Sequence, residues 1–202
     1  MLATILAHRL VAIVRGARPV DFPLILEALF SGGIRVVEVT LNSPEALPLL
    51  AAASAHWGDR LLLGAGTVLD ETAALVALDS GARFIISPHL DPLVVAATLS
   101  AGAVSIPGAY TPTEIISAYR LGAHIVKVFP ASIGPAYLRD LRGPLPHIPL
   151  MPTGGVTLAN IAAFASAGAV AFGVGSALVD TRAPIDFDAL RLRARQFVEA
   201  IA

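Results

Sequence analysis

The chain has 202 residues, of which 55% are hydrophobic and 14% charged, and its formal net charge is −1. This composition excludes a disordered polyelectrolyte, and the near-neutral charge provides no basic surface for a nucleic acid or an anionic membrane. The absence of cysteine excludes disulfides and thiolate metal sites, and no apolar run reaches the roughly 20 residues of a membrane-spanning helix. We expect a cytoplasmic protein with one domain over residues 1–202.

A phrase of small residues recurs along the chain, each time directly before a short apolar run. Successive copies of its glycine are 49, 21, 20 and 46 residues apart, which corresponds to one or two strand–helix units of about 20 to 25 residues. We expect each glycine to end a helix in the left-handed conformation, with the next run forming a strand. The five glycines are Gly32, Gly81, Gly102, Gly122 and Gly168.

Eight apolar runs are predicted as strands, and their lack of alternation is typical of parallel strands buried on both faces. In chain order they span residues 10–15, 36–41, 61–66, 84–88, 104–108, 125–130, 149–153 and 171–175. Helical patterns lie between them, with predicted starts at Ser43, Asp70 and Thr111, and an amphipathic closing helix over 189–202. Eight such units predict an α/β fold, a single (β/α)8 TIM barrel; a doubly wound open sheet is the alternative.

The chemistry of such a barrel lies at the carboxyl ends of its strands, where this chain has one acid, Glu38. The only lysine, Lys127, lies in the apolar run HIVKVF, whereas every other Lys or Arg position is one of thirteen arginines. Strand alternation places both residues opposite their valine neighbours. We therefore expect an amine and a carboxyl to face one apolar lumen.

Two interpretations of Lys127 and Glu38 are open. They could form a structural ion pair, although buried pairs add little stability because desolvation offsets the attraction. Alternatively, Lys127 is a Schiff-base nucleophile whose pKa is lowered by desolvation, and Glu38 transfers the protons of the reaction. The use of the sole lysine in an apolar run favours the second interpretation.

Two glycine-rich runs, PTGGVT and FGVGSALV, end the last two predicted strands. Gly154, Gly155, Gly173 and Gly175 allow close backbone approach, and we expect each run to lead into a helix N-terminus. Barrels of this class commonly bind phosphate at that position. Ordinary loop chemistry would explain any one of these glycines, but two such runs on adjacent strands favour a phosphate site.

Arg15 and Thr67 end two further strands. Arg15 could bind a carboxylate, or its side chain could extend to solvent at the rim. The Thr67 hydroxyl could contact a ligand, or Thr67 could only stabilise the local turn. His89 and His147 have no partner at metal-ligand spacing, and His124 precedes its strand. The sequence therefore predicts neither a metal nor another cofactor.

Seven motifs between residues 10 and 179 resemble, in order and spacing, one aldolase family. Its members act on 2-keto-3-deoxy-6-phosphogluconate (KDPG), on the galactonate epimer (KDPGal) and on 4-hydroxy-2-oxoglutarate (KHG). The motifs are VEVTLNSP, GAGTVL, ISP, IPG, VKVFPAS, PTGGV and GVGS. The resemblance implies a metal-free class I aldolase, usually a homotrimer, with Lys127 as the Schiff-base residue and Glu38 as the acid and base.

The resemblance also implies the residues that would hold the substrate. The keto-acid end would contact Arg15, Thr67, Pro88, Phe129 and Thr153, and the phosphate would contact Gly154, Gly155, Gly175 and Ser176. Two positions point to different branches of the family. Asn42 stands where the phosphogluconate branch often has an arginine, so this position departs from that branch. Thr153, in contrast, is similar to the residue that the phosphogluconate branch has at its position.

We therefore predict reversible cleavage of KDPG or KDPGal to pyruvate and glyceraldehyde 3-phosphate, as in the Entner–Doudoroff pathway, with KHG as a further candidate substrate. The expected partners are a phosphorylated keto sugar acid and pyruvate, not a nucleic acid or a membrane. The residues alone leave two alternatives open. One is a phosphosugar isomerase or epimerase, which usually needs paired acids or a metal, and the other is a barrel that only binds a phosphorylated effector.

Overall fold

The computed structural model describes residues 1–201, in which strands and helices alternate. The strands are β1 (Leu10–Val14), β2 (Val36–Thr40), β3 (Leu62–Gly66), β4 (Phe84–Ile86), β5 (Val104–Ile106), β6 (Gly108–Ala109), β7 (Val126–Val128), β8 (Leu150–Pro152) and β9 (Phe172–Val174). The α-helices are α1 (Leu2–His8), α2 (Phe22–Ser31), α3 (Ala46–Trp57), α4 (Glu71–Asp79), α5 (Pro92–Ser100), α6 (Pro112–Arg120), α7 (Pro135–Arg142), α8 (Ile161–Ser166) and α9 (Phe187–Glu199). Each predicted strand is found, with boundaries that agree within two residues.

The strands form two parallel sheets. The larger sheet has the order β5-β4-β3-β2-β1-β9, and the smaller has the order β6-β7-β8. In the larger sheet the strands follow one another in chain order, with β9 added beside β1. This order lacks the reversal that marks a doubly wound sheet.

The prediction of one closed (β/α)8 barrel is wrong, because the hydrogen-bonded ladder is interrupted at two places. The predicted strand 104–108 is divided at Pro107, which has no N–H to donate, into β5 of the larger sheet and β6 of the smaller. On the other side, an isolated bridge between Thr153 and Gly173 takes the place of a ladder between β8 and β9. The chain is therefore an α/β protein with separate six-stranded and three-stranded sheets.

Apolar side chains from both sheets pack together in an inner cluster that is distinct from the larger core beneath the helices. The buried members of the inner cluster are Ile5, Val11, Val36, Phe84, Ile86, Val104, Ile106, Ile125, Met151 and Ala171. Glu38 lies two residues after Val36, and Lys127 lies two residues after Ile125, so alternation places both on the same inner faces. The inner cluster is therefore an apolar floor beneath the two ionisable groups.

Two of the three predicted helix starts are confirmed. The Asp70 side chain accepts a hydrogen bond from the Ala73 backbone N–H at 2.8 Å, and Thr111 forms a reciprocal capping box with Glu114. The prediction at Ser43 is wrong, because α3 begins at residue 46 and the Ser43 hydroxyl accepts instead from the Gly16 N–H at 2.8 Å. Ser43 therefore ties the loop after β2 to the loop after β1.

The predicted left-handed glycines are confirmed at four of five repeats; in the first, Gly33 with φ +98° has this conformation instead of Gly32. Gly32 lies where α2 approaches α9, and a Cβ there would lie 2.5 Å from that of Ala194. The closing helix is present as α9, and residue 202 of its predicted range lies outside the described residues. The sequence did not predict α1. Within residues 1–201, no helix combines the length and apolarity needed to cross a membrane.

Gly64→Ala is expected to lower the free energy of unfolding by about 1 to 3 kcal/mol, because overpacking strains the inner cluster. The added methyl would lie 2.4 Å from the ring of the fully buried Phe84. Gly143→Ala is the matched control, since Gly143 has a helical φ of −52° and the nearest atom to its Cβ would be 3.5 Å away. Denaturant unfolding measures both variants, and equal stability of the two would contradict the inner packing.

Candidate active site

Lys127 and Glu38 come from different sheets and are both buried. Lys127, in β7, is paired in register with Gly108 and Met151, whereas Glu38, in β2, is paired with Ile13 and Gly64. The side chains are 5% and 1% exposed, respectively. The valines directly before and after each of the two residues in the chain belong to the larger core beneath the helices. Strand alternation therefore places the amine and the carboxyl on the opposite, inner side.

Burial dominates the electrostatics of these two groups. It lowers the pKa of the Lys127 amine against the attraction of Glu38, and the nearby Arg15 guanidinium lowers this pKa further. Burial likewise raises the pKa of the Glu38 carboxyl against the attraction of Lys127 and Arg15. The ion pairs within 4.0 Å among residues 1–201 do not include Lys127 with Glu38, and Glu38 Oε2 has no hydrogen-bond partner. This geometry favours a reactive pair over a structural ion pair.

Two glycines leave the space that the buried polar side chains occupy. A Cβ at Gly66 would lie 1.6 Å from Glu38 Oε1, and one at Gly173 would lie 2.3 Å from Thr153 Oγ1. Thr153 is buried and its hydroxyl has no hydrogen-bond partner. Gly173 therefore makes room for the Thr153 side chain.

A cavity of about 470 Å³ opens beside Lys127. The predicted site residues that line it are Arg15, Lys127, Phe129, Thr153, Gly154, Gly155, Gly175 and Ser176. The Lys127 amine nitrogen lies 4.8 Å from the centre of the Phe129 ring. Glu38, Thr67 and Pro88 do not line the cavity, although Glu38 acts on Lys127 through its charge.

Arg15 at the cavity rim is held by neutral groups. Its Nη2 donates to Thr67 Oγ1 at 3.3 Å, and its Nη1 donates to Asn42 Oδ1 at 3.4 Å. Neither partner neutralises the guanidinium charge, so Arg15 can attract an anionic ligand. Thr67 has φ +58°, an unfavourable conformation for a β-branched residue and one that often marks functional sites. The Pro88 carbonyl packs against Gly108, and a Cβ on Gly108 would lie 2.4 Å from that carbonyl.

The glycine-rich runs do not lead directly into helices as the sequence predicts. Gly154 and Gly155 have φ of +80° and +89°, and α8 begins only at residue 161. Gly175 is followed by a turn that its carbonyl closes, and the next helix begins at residue 187. Within residues 1–201, the backbone N–H groups of Gly155 and Ser176 donate to no other backbone group. Both therefore remain available to an anion in the cavity.

The sequence missed the segment Asp180–Arg182, which also lines the cavity. The Thr181 hydroxyl donates to the Arg15 carbonyl at 2.6 Å and so fixes this segment at the rim. No local pattern marks these residues, because the contact joins positions 166 residues apart. Within residues 1–201, no group of three or more His, Asp or Glu side chains could hold a metal ion.

A family model described as KDPG and KHG aldolase matches residues 3–191. A 2-dehydro-3-deoxy-6-phosphogalactonate aldolase of Escherichia coli (strain K12) is 34% identical over 193 residues, which cover 95% of this chain and 93% of that protein. A 2-dehydro-3-deoxy-phosphogluconate aldolase of Treponema pallidum (strain Nichols) is 39% identical over 158 residues, covering 77% and 75% of the two chains.

One similar solved structure also describes reaction chemistry. It is the KDPG aldolase of Legionella pneumophila, with pyruvate captured at low pH as a covalent carbinolamine intermediate. The two structures have a TM-score of 0.83 and 26% sequence identity, and the match covers 100% of this chain and 97% of that one. The chain therefore resembles an aldolase on which a covalent pyruvate intermediate has been observed.

Glu38→Gln is expected to gain stability relative to the wild type as the pH rises from 4.5. Because burial raises the pKa of Glu38 above its ordinary 4.5, the folded protein keeps a proton that the unfolded chain has released. The wild type therefore loses stability as the pH rises toward the raised pKa, whereas glutamine does not titrate. Between pH 4.5 and the raised pKa, the free energy of unfolding of Glu38→Gln relative to that of the wild type should increase by about 1.4 kcal/mol per pH unit.

Denaturant unfolding at stepped pH values measures this difference. The control is Glu199→Gln, which changes an exposed carboxyl on α9 and should show no comparable trend. A Glu38→Gln difference that does not depend on pH would contradict the burial of an unpaired carboxyl.

Proposed function

The chain belongs to the KDPG and KHG aldolase family, and we propose that it cleaves KDPG or KDPGal reversibly to pyruvate and glyceraldehyde 3-phosphate. It is an aldolase, and its relatives are named for both epimers at comparable identity. The proposal includes KHG as a further substrate, which the family description names. We further propose that residues 1–202 act as one cytoplasmic domain.

The observation that carries the proposal is a sole lysine whose amine is buried at the side of a cavity. Schiff-base formation needs a neutral amine, and burial lowers the pKa of Lys127 in the required direction. The cavity opens to this amine, and the uncompensated Arg15 guanidinium stands at its rim. A keto acid bound by its carboxylate to Arg15 would thereby bring its ketone toward Lys127.

The proposed reaction proceeds by covalent catalysis. Neutral Lys127 attacks the C2 ketone, and Glu38, whose proton burial helps to retain by raising its pKa, donates that proton in the loss of water from the carbinolamine. The resulting iminium withdraws electrons from the C3–C4 bond. Glu38, now ionised, accepts the proton of the C4 hydroxyl through a water molecule, and the bond breaks to a pyruvyl enamine and glyceraldehyde 3-phosphate. Protonation of the enamine at C3 and hydrolysis release pyruvate and free Lys127.

The remaining predicted site residues have proposed roles along the substrate. Thr67 holds Arg15 in place, and Phe129 packs beside the amine. Thr153 offers its unpartnered hydroxyl to a substrate hydroxyl, and Pro88 supports the site from the neighbouring loop. Gly154, Gly155, Gly175 and Ser176 form the phosphate site, in which backbone N–H groups bind the anion.

An isomerase or epimerase is less well supported by the cavity. Such chemistry usually needs paired acids or a metal, and the one acid lining the cavity, Asp180, is engaged by Arg182 at 2.8 Å. Glu38 is a second acid, but it is buried and lies outside the lining. This arrangement supports one acid working beside one amine.

Sodium borohydride reduction in the presence of pyruvate is expected to place one reduced pyruvyl group on Lys127. Because the chain has one lysine, intact mass followed by peptide mapping assigns the adduct, with only the α-amino group to distinguish. Lys127→Arg, which keeps a cation but cannot form the imine at neutral pH, is expected to give no adduct and no turnover. An unmodified wild-type Lys127 at saturating pyruvate would overturn the proposed chemistry.

The Glu38→Gln variant separates the role of Glu38 from that of Lys127 in the borohydride experiment. We expect this variant to trap pyruvate slowly and to turn over about 10²- to 10⁴-fold more slowly than the wild type, since it lacks the proton-transfer group. Wild-type turnover by Glu38→Gln would remove Glu38 from the mechanism and leave the role of Lys127 intact.

We also propose a homotrimer, supported by exposed apolar residues on one rim of the protein. Leu69 follows β3, Leu93 lies in the first turn of α5, and Tyr110 follows β6, so that all three lie beyond the carboxyl ends of successive strands. Their exposed fractions are 53%, 58% and 38%. Clusters of exposed apolar side chains of this kind commonly mark contacts between subunits.

Leu93→Asp is expected to dissociate the proposed trimer, because it would bury a carboxylate in an apolar contact. Size-exclusion chromatography with light scattering should give three times the chain mass of 20.8 kDa for the wild type and a smaller mass for the variant. Leu192→Asp is the matched control, since Leu192 on α9 is also 58% exposed. A monomeric wild type, or the same effect from both variants, would contradict this interface.

A further inference from the structure

We propose that Arg182 supplies the positive charge that binds the substrate's phosphate and so makes the enzyme prefer phosphorylated substrates. This inference rests on the proposed function, since it assigns the charge recognition of the same site. It adds a residue outside the glycine-rich motifs that the sequence indicates for the phosphate.

A cation would strengthen phosphate binding in the cavity, because the glycine-rich runs offer only neutral donors. A phosphate ester carries about −1.5 to −2 charges at pH 7, whereas the backbone N–H groups of Gly155 and Ser176 carry none. Of the other cations that line the cavity, Arg15 is held by Asn42 and Thr67, and Lys127 is the proposed nucleophile. Arg182 is the remaining lining cation within residues 1–201, six positions after Ser176.

Asp180 holds the Arg182 side chain at the rim while leaving part of it free. Nε and Nη2 of Arg182 each donate to Asp180 at 2.8 Å, and Nη1 has no partner in the described part of the chain. The adjacent Thr181 hydroxyl bonds to the Arg15 carbonyl, so the segment is fixed to the end of β1. One edge of the guanidinium is therefore preorganised for a ligand oxygen, the planar contact that arginine makes with phosphate.

The acid that holds Arg182 does not cancel the positive charge at the rim. Asp180 interacts with the Arg193 guanidinium as well, and these charges and hydrogen bonds lower its pKa to about 2. Arg193 is anchored on α9 by a hydrogen bond to the Leu178 carbonyl at 2.9 Å. A second guanidinium, outside ion-pair distance, therefore adds to the positive potential at Asp180.

A simpler explanation is that Arg182 and Asp180 form an ordinary surface pair, because the Arg182 side chain is 79% exposed. Such pairs contribute little to stability, and removing one would change no kinetic constant selectively. The same exposure means that substitution of Arg182 should leave the fold intact. Selectivity between substrates therefore distinguishes the two explanations.

The test compares cleavage of KDPG with cleavage of 2-keto-3-deoxygluconate, which has a hydroxyl in place of the phosphate. Arg182→Gln is expected to lower kcat/KM for KDPG by about tenfold and to change kcat/KM for the unphosphorylated substrate less than twofold. Arg182→Lys, which keeps the charge but not the planar fork, should recover part of the loss. Added salt should lower the wild-type kcat/KM for KDPG and have a smaller effect on Arg182→Gln.

Arg191→Gln is the matched control, because Arg191 pairs with Asp188 at 3.0 Å on the surface of α9. The Arg191→Gln variant should keep the wild-type kcat/KM for both KDPG and 2-keto-3-deoxygluconate. Equal losses on both substrates, or none, from Arg182→Gln would overturn the inference while leaving the aldolase intact. A wild type that cleaves neither substrate and forms no pyruvyl adduct would overturn the proposed function, and the inference with it.

Discussion

The Lys127 amine is buried where water solvates an ammonium poorly, and this burial lowers its pKa at the side of the cavity. Glu38 attracts the ammonium but lies outside ion-pair distance, so the attraction does not offset the desolvation. A stable core would use apolar residues at both positions, since an unpaired buried charge is costly. The arrangement is therefore better explained by reactivity than by stability, as expected where a site needs a neutral amine.

The two groups are brought together by packing and not by a continuous hydrogen-bonded sheet. Lys127 belongs to the three-stranded sheet and Glu38 to the six-stranded sheet, and the sheets are interrupted at Pro107. The inner cluster contains apolar side chains from both sheets directly beneath the two residues. Their relative position consequently depends on close packing at this floor, where small changes in side-chain volume are felt.

Sequence reasoning identified most of the cavity because its residues follow strands that are visible as apolar runs. Lys127, Thr153 and Ser176 lie where the strand ends predict. It named Gly173 only for the close backbone approach that its run allows, and the structure shows in addition that this glycine leaves space for Thr153. It also missed Asp180 and Arg182, because a loop enters the cavity only through its contact with the end of β1.

The sequence by itself determined the local features: the strands, the caps at Asp70 and Thr111, and the placement of the sole lysine in an apolar run. These depend on residues within a few positions of one another, so propensity and periodicity report them directly. Only the tertiary structure decided the division into two sheets and the distance that keeps Lys127 and Glu38 from pairing. Both depend on contacts between residues far apart in the chain, which side-chain volume and backbone geometry fix and local sequence patterns do not encode.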